Sequence, residues 1–261
     1  MTILRSTIFF LWFALVSIAI CIVFLPALLL PRKVTVWMSR RWSALNFWGL
    51  KVFAGLDFEV RGRPPPNGVL IAAKHMSMWD TMALYLVLDD PAVIIKRTLL
   101  WIPFYGWYVA KAASIAIDRG GKAAALRRMA NAARRAIAQG RSVLIFPEGT
   151  RKNPDAAPDY KPGVAGLYAQ LAVECVPVAL NSGLFWTGPV GFLKKRGRVV
   201  LEFLEPIPPG LRSRDFMKVL EERVEKATAE LVIEGRNLLE RPNSVADRAG
   251  NKKRAAKPPP L

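Results

Sequence analysis

The sequence contains a single histidine, His75, and an aspartate stands five residues after it in His75-Met-Ser-Met-Trp-Asp80. Any chemistry that needs an imidazole near neutral pH must therefore use this residue. On a continuous helix, a five-residue separation turns two side chains about 140° apart. If His75 instead lies in a loop and a helix starts near Ser77, the carboxylate folds back onto the imidazole. It then fixes the tautomer and stabilises the imidazolium formed when His75 takes a proton. A histidine near an aspartate is more often a satisfied polar pair, so this spacing alone decides nothing. A second run, Phe146-Pro-Glu-Gly-Thr-Arg151, joins a carboxylate, a turn-forming glycine, a hydroxyl and a guanidinium able to grip a phosphate at two points. Its plain alternative is a Pro-Glu-Gly turn with solvated charges.

These groups need a scaffold. Apolar and β-branched runs predict strands at 58–61, 69–73, 92–96, 114–117, 142–146, 176–179 and 198–204. Helices are expected at 80–88, 122–139, 163–173 and 213–239. Strands alternating with helices indicate an α/β domain with a mixed, largely parallel sheet flanked by helices. His75 then follows one strand and Glu148 another, at the carboxyl edge where ligands bind such sheets.

Between Arg5 and Arg32 no residue is charged, a run long enough to cross a bilayer. The heavier basic flank, Arg32, Lys33, Arg40 and Arg41, keeps the remainder on the cytoplasmic side. A cleaved signal peptide is disfavoured by the length of the run, whereas Pro26 and Pro31 allow a bent helix that enters one leaflet. Residues 34–55 mix Trp37, Trp48 and Phe53 with Arg40, Arg41 and Lys51, which suits either a helix in the headgroup region or one packed on the domain. The expected organisation is thus a membrane anchor of one or two helices at 1–55, a catalytic domain at 56–240 and a disordered basic tail at 241–261.

The chain is 52% hydrophobic yet carries 38 basic against 20 acidic residues, a net charge of +18. That combination points to anionic membrane lipids as partners. Nucleic acid would answer the charge alone, but basic residues are not interleaved with stacking aromatics outside the apolar N-terminal region, so none is expected. From Arg119 to Arg141 there are seven basic residues and no acid, which suggests a surface for anionic lipid, an acyl carrier or a nucleotide, or simply a solvated face. Two cysteines and one histidine make no metal site, and none is expected.

His75 with Asp80 and the run Phe146 to Arg151 resemble the first and third motif blocks of the glycerolipid acyltransferases. Lys96 to Gly106 with Ile117-Asp-Arg119 is similar to the second, and Val176-Pro-Val178 to the fourth. Within that superfamily the chain resembles the bacterial 1-acyl-sn-glycerol-3-phosphate acyltransferases, with a likeness extending over residues 60–185. The resemblance implies that His75 is the general base, oriented by Asp80. It assigns Lys96, Arg119 and Arg151 to the acceptor phosphate, Glu148 and Gly149 to the glycerol part, Thr150 to the substrate-binding set without a separate role, and Pro177 to the wall behind the site. It further implies acyl transfer from acyl-CoA or acyl-carrier-protein to lysophosphatidate at the cytoplasmic membrane, with no cofactor. Thr98 and Ala113 depart from the common pattern, which leaves another lyso-lipid acceptor open. Ser77 is an available nucleophile, but nothing marks it as activated, so direct transfer is preferred. A membrane-tethered polyanion-binding protein is the non-enzymatic alternative.

Overall fold

The computed structural model describes residues 1–118, 122–188 and 191–240, so Arg119 and the expected tail at 241–261 lie outside the described residues. The chain opens with α1 (Thr2–Val23), a 3-10 turn, α2 (Arg32–Gly49) and a π-helical extension, Leu50–Ala54. Gly55, at φ 68°, reverses the chain into β1 (Leu56–Arg61). There follow β2 (Leu70–Ala73), α3 (Met78–Val87), β3 (Ala92–Lys96), α4 (Tyr105–Lys111), β4 (Ile115–Ile117), α5 (Lys122–Ala138), β5 (Val143–Ile145), α6 (Gly163–Leu171) and β6 (Cys175–Leu180). A short hairpin of β7 (Trp186–Thr187) and β8 (Leu193–Lys194) precedes β9 (Gly197–Phe203) and the long α7 (Ser213–Glu240).

Seven strands form one sheet in the order β1-β9-β6-β2-β5-β3-β4. The block from β6 to β4 is parallel throughout, while β9 runs antiparallel to β6 and carries β1 parallel to itself. The expected mixed, largely parallel sheet is therefore present, with each anticipated strand in place to within a few residues. The β7–β8 hairpin and α4 had no sequence signal. Two-residue strands are too short to show a period, and α4 has aromatic residues without a helical stripe.

Side chains alternate across a strand, and here the alternation sorts two cores. Ile71, Ala73, Val93, Leu144 and Val176 join Phe9, Phe47 and Leu50 of the N-terminal helices and Trp79 of α3 on one face. Leu70, Ala72, Ala92, Ile94, Val143 and Ile145 meet α5, α6 and the first half of α7 on the other. The molecule is thus three-layered, with α1, α2 and α3 on one side of the sheet and α5, α6 and α7 on the other.

The N-terminal helices are docked on the domain. Ser6 Oγ accepts from the Lys194 amide at 2.9 Å, Phe9 meets Trp186 edge-on at 5.8 Å, and Cys21 O accepts from the Tyr108 hydroxyl at 2.8 Å. Arg32 grips Asp90 with two hydrogen bonds, 2.7 and 2.5 Å. The opposite face of both helices is bare: Leu4, Leu11, Leu15, Ile18 and Ile22 on α1 and Trp37, Leu45 and Trp48 on α2 are exposed. Helix α2 packs Val36, Met38 and Phe47 inward, as a helix docked on the domain would, and presents Trp37 and Trp48 outward. Helix α1, with 22 residues and a mean hydropathy of 2.5, is long and apolar enough to cross a membrane.

Candidate active site

Strand β2 ends at Ala73, and the alternation continues one step beyond it. Lys74 points into the α7 layer and His75 into the α3 layer. The helix that follows starts where the His–Asp pairing requires. Ser77, at φ −151° and ψ 176°, is the N-cap of α3; its hydroxyl accepts from the Trp79 amide at 3.2 Å, and Asp80 at the third helical position returns to the Ser77 amide. This capping box folds the carboxylate back towards the loop.

Asp80 is fully buried, yet both its oxygens are occupied. Oδ2 accepts from the Met76 amide at 2.7 Å, the Ser77 amide at 2.9 Å and His75 Nδ1 at 2.9 Å. Oδ1 accepts from Ser182 Oγ at 2.5 Å, and Ser182 Oγ in turn accepts from Ser77 Oγ at 2.8 Å. Because Oδ2 acts as an acceptor throughout, the shared proton belongs on Nδ1, and the other ring nitrogen, Nε2, carries a free lone pair. The imidazole is further held by Phe146, stacked 4.0 Å away at 21°. His75 keeps 13% of its side chain exposed, against none for Asp80.

Strand β5 runs beside β2, so its carboxyl end delivers Phe146 to Arg151 next to His75. Gly149, at φ 66°, closes the turn with its amide on Phe146 O at 2.9 Å. The Lys152 amide then donates to His75 O at 2.9 Å, tying the two loops together through their main chains. Arg151, exposed, lines a cavity of about 230 Å³ with Met76, Ser77, Met78, Trp186 and Thr187. Thr150 is exposed on the same turn.

Glu148 was expected towards the acceptor glycerol, but its carboxylate is buried in a charge cluster. Lys74 Nζ bridges Glu148 at 3.0 Å and Glu225 of α7 at 2.8 Å, and Tyr160 donates to Glu225 at 2.9 Å. Glu148 Oε2 is buried without a hydrogen-bond partner. Burial pushes the Glu148 carboxyl above its ordinary range, and Lys74 pulls it partly back. Lys96 ends β3, exposed, and is not part of the cavity wall. Pro177 is buried within β6, in register beside Ala72 of β2, the strand that leads into His75. Of the expected set, the structure therefore gathers His75, Asp80, Gly149, Thr150 and Arg151 at one sheet edge, with Pro177 in the neighbouring strand. Among the described residues no cluster of His, Cys, Asp and Glu side chains is arranged to hold a metal ion.

Sequence reading passed over Lys74, Ser182, Asn181 and Glu225. Lys74 could have been found, since a charged residue continuing the inward register of a buried strand needs a partner. Ser182 and Asn181 carried no such sign. Asn181 links Leu231 O of α7 and the Val200 amide of β9, each at 2.9 Å, and so sets Ser182 against a carboxylate 102 residues away in sequence. The amides at the start of α3 are largely engaged: those of Met76, Ser77 and Trp79 serve the Asp80–Ser77 cap. Met78, whose amide this cap does not use, lines the cavity.

Residues 57–181 match a family model described as acyltransferase. The chain is 33% identical over 165 residues to 1-acyl-sn-glycerol-3-phosphate acyltransferase of Pseudomonas aeruginosa, covering 62% of this chain and 64% of that protein. It is 35% identical over 185 residues to the human 1-acyl-sn-glycerol-3-phosphate acyltransferase beta, covering 67% and 63% respectively. It thus spans a little under two thirds of the length of these relatives. The crystal structure of the 1-acyl-sn-glycerophosphate (LPA) acyltransferase PlsC from Thermotoga maritima shares the fold, with a TM-score of 0.70 at 22% identity over 88% of this chain and 98% of that one.

The Lys74–Glu148 cluster has a measurable consequence. The Glu148 pKa is raised on folding, so the folded state holds that proton more tightly than the unfolded chain. Stability from this group is complete below its unfolded pKa and is lost as pH rises through the folded value. The stability of the wild type relative to Glu148→Gln is therefore expected to increase as pH is lowered from neutrality into the carboxylate range. Denaturant melts of both proteins across that range check this, and a difference that stays flat or reverses contradicts it.

Proposed function

We propose that this chain is an acyltransferase of the kind described by the family model that its residues 57–181 match, and that it acylates the free hydroxyl of lysophosphatidate. The acyl donor is a thioester, acyl-CoA or acyl-carrier-protein, and the product is phosphatidate. The observation that carries this reading is the orientation of His75. Its Nδ1–H is committed to Asp80 at 2.9 Å, which leaves Nε2 free, and the residues that follow it in the chain, Met76 to Met78, line a cavity together with Arg151.

In the proposed reaction the acceptor phosphate pairs with Arg151, a planar cation suited to two-point contact with phosphate oxygens. The acceptor hydroxyl gives its proton to Nε2 as its oxygen attacks the thioester carbonyl. Asp80 stabilises the imidazolium formed. When the tetrahedral intermediate collapses, the carbon–sulfur bond breaks and the imidazolium proton passes to the departing thiolate. Donor and acceptor exchange one acyl group, so the reaction needs no cofactor. Ser77 does not serve as a nucleophile in this scheme, because its hydroxyl is held as a helix cap and as a donor to Ser182.

The bilayer enters through the bare face of α1 and α2. From Ser6 to Cys21 α1 is fastened to the domain, about 22 Å of helix axis. A hydrocarbon core is about 30 Å thick, and a helix pinned over most of that length would drag polar domain surface into lipid if it crossed. We therefore place α1 in one leaflet, with its exposed leucines and isoleucines in the acyl region and the α2 tryptophans at the interface. His75 lies in the same layer as these helices, which suits an acceptor drawn from the membrane. The domain then stands on the cytoplasmic face of the inner membrane.

Acyl transfer from a labelled thioester to lysophosphatidate in detergent micelles tests the chemistry. His75→Ala is expected to lower kcat by about 10²- to 10⁴-fold while the protein stays folded; a mutant as active as the wild type contradicts the base assignment. For the anchor, a protease-sensitive tag placed before Met1 is expected to be cut from the same side as the catalytic domain in sealed inverted vesicles. Protection of the tag with cleavage of the domain would mean that α1 crosses.

A further inference from the structure

Helix α4 and the turn before it carry an apolar surface that neither core absorbs. Strand β3 leads into a 3-10 turn, Arg97–Trp101, in which no residue is buried. Trp101 is 79% exposed and Trp107 49%, with Ile102 and Phe104 exposed between them. None of the four joins the hydrophobic clusters on either face of the sheet.

The backbone holds these side chains outward at a cost. Phe104 sits at φ 62° and ψ −61°, and the Tyr105 amide donates to Pro103 O across it at 2.7 Å. This is a γ-turn of the strained kind, rare for a residue that carries a side chain. It leaves the Phe104 ring exposed, 5.1 Å from that of Trp107. Gly106 lets the first turn of α4 lie against the 3-10 turn, where a Cβ would overlap Leu100 O. The result is a firmly built aromatic protrusion. Strain retained with no core contact in return points to a contact outside the chain.

Chain direction puts the protrusion on the anchor side of the molecule. The step from β3 through α4 to β4 crosses the sheet in the same sense as that from β2 through α3 to β3. Parallel crossovers share one hand, so both helices lie on one face, the face that α1 and α2 cover. Contacts agree with this. The Tyr108 hydroxyl of α4 donates to Cys21 O of α1 at 2.8 Å, and α4 packs on the 3-10 turn Leu25–Leu29. Leu25, Leu29 and Leu30 are exposed there. The bare apolar surface therefore continues from α1 through this turn to α4. From Pro91 to Ile117 the chain has Lys96, Arg97 and Lys111 and no acid. Exposed tryptophans among basic residues suit the headgroup level of an anionic bilayer.

We propose that this protrusion is a second membrane contact, with Trp101, Phe104 and Trp107 entering the same leaflet that receives α1. The inference rests on the leaflet placement of α1 and α2 given above. It also fixes which part of the domain the lipid meets. Strands β3 and β5 are neighbours and parallel, and their carboxyl ends lead into the protrusion and into the turn of Arg151 respectively. The leaflet therefore touches the domain along the carboxyl edge of the sheet as well as along the anchor helices.

The test is tryptophan fluorescence of the full chain bound to phosphatidylcholine–phosphatidylglycerol vesicles. Brominated phosphatidylcholine quenches from within the leaflet and acrylamide from the water. The variants are W101F/W107F for the protrusion and W37F/W48F for α2. All four positions are exposed and keep an aromatic ring, so folding is not at issue. In W101F/W107F the emission quenched by brominated lipid is expected to fall, while that quenched by acrylamide is unchanged. Loss of acrylamide-quenched emission alone puts the protrusion in water and overturns the proposal. No loss under either quencher means that protein, a second copy of the chain, covers the protrusion, and this overturns it too. W37F/W48F reads the anchor separately. Lipid-quenched emission lost there but not in W101F/W107F overturns the α4 contact alone. The opposite pattern supports the α4 contact and contradicts the placement of the α2 tryptophans.

Discussion

The Asp80 carboxylate sets the terms for everything around it. A buried carboxylate without partners costs several kcal/mol or more, and this one has no exposed surface. Its compensation comes from two loop amides, a serine hydroxyl and the imidazole N–H. The amides exist at that position only because the chain leaves β2 in a loop and starts α3 at Ser77. The serine arrives only because β6 lies next to β2 and Asn181 is braced between α7 and β9. The imidazole completes the set, and in doing so is oriented with Nε2 outward. Strand order, helix cap and imidazole tautomer are thus one constraint seen at three scales.

The same strand alternation that turns His75 towards α3 turns Lys74 towards α7, and the two faces take different tasks. On the α7 side, Lys74 gathers Glu148 and Glu225 into a buried cluster that fixes the start of the β5 turn. On the α3 side, that turn presents Phe146 to the imidazole and Arg151 to the cavity. The Lys152 amide on His75 O makes the connection rigid through the backbone. Glu148 therefore anchors the turn from within, while Arg151 lines the cavity on the other side. The bare apolar face of α1 and α2 follows the same division, since these helices lie on the His75 side of the sheet.

Much of this was legible in the sequence where the signal is local. Strand and helix periods are short-range, so the sheet's seven strands and helices α3, α5, α6 and α7 could be anticipated from their own residues. The His75–Asp80 contact was legible too, because a loop followed by a helix starting at Ser77 is a local geometry. What escaped depends on strand order. Ser182 meets Asp80 only after β6 has paired with β2, and Glu225 meets Lys74 only after α7 has packed across that sheet. The burial of Glu148 was hidden for a related reason. Its motif gave no sign of Lys74 as a partner, and the turn closed by Gly149 leaves the acid inside and Arg151 exposed. The α1 segment was readable as apolar and long, but its docking through Ser6, Phe9 and Cys21 required partners nearly a hundred or more residues away.

The central claim is that Asp80 holds His75 as the Nδ1–H tautomer with Nε2 free to take the acceptor proton. Nitrogen-15 NMR of the selectively labelled single histidine, in detergent micelles at a pH where the ring is neutral, measures this directly. The account predicts a protonated Nδ1 and an unprotonated Nε2 in the wild type, with that preference lost in Asp80→Asn. A wild-type spectrum showing the proton on Nε2 would contradict it, because a protonated Nε2 has no lone pair with which to act as the base.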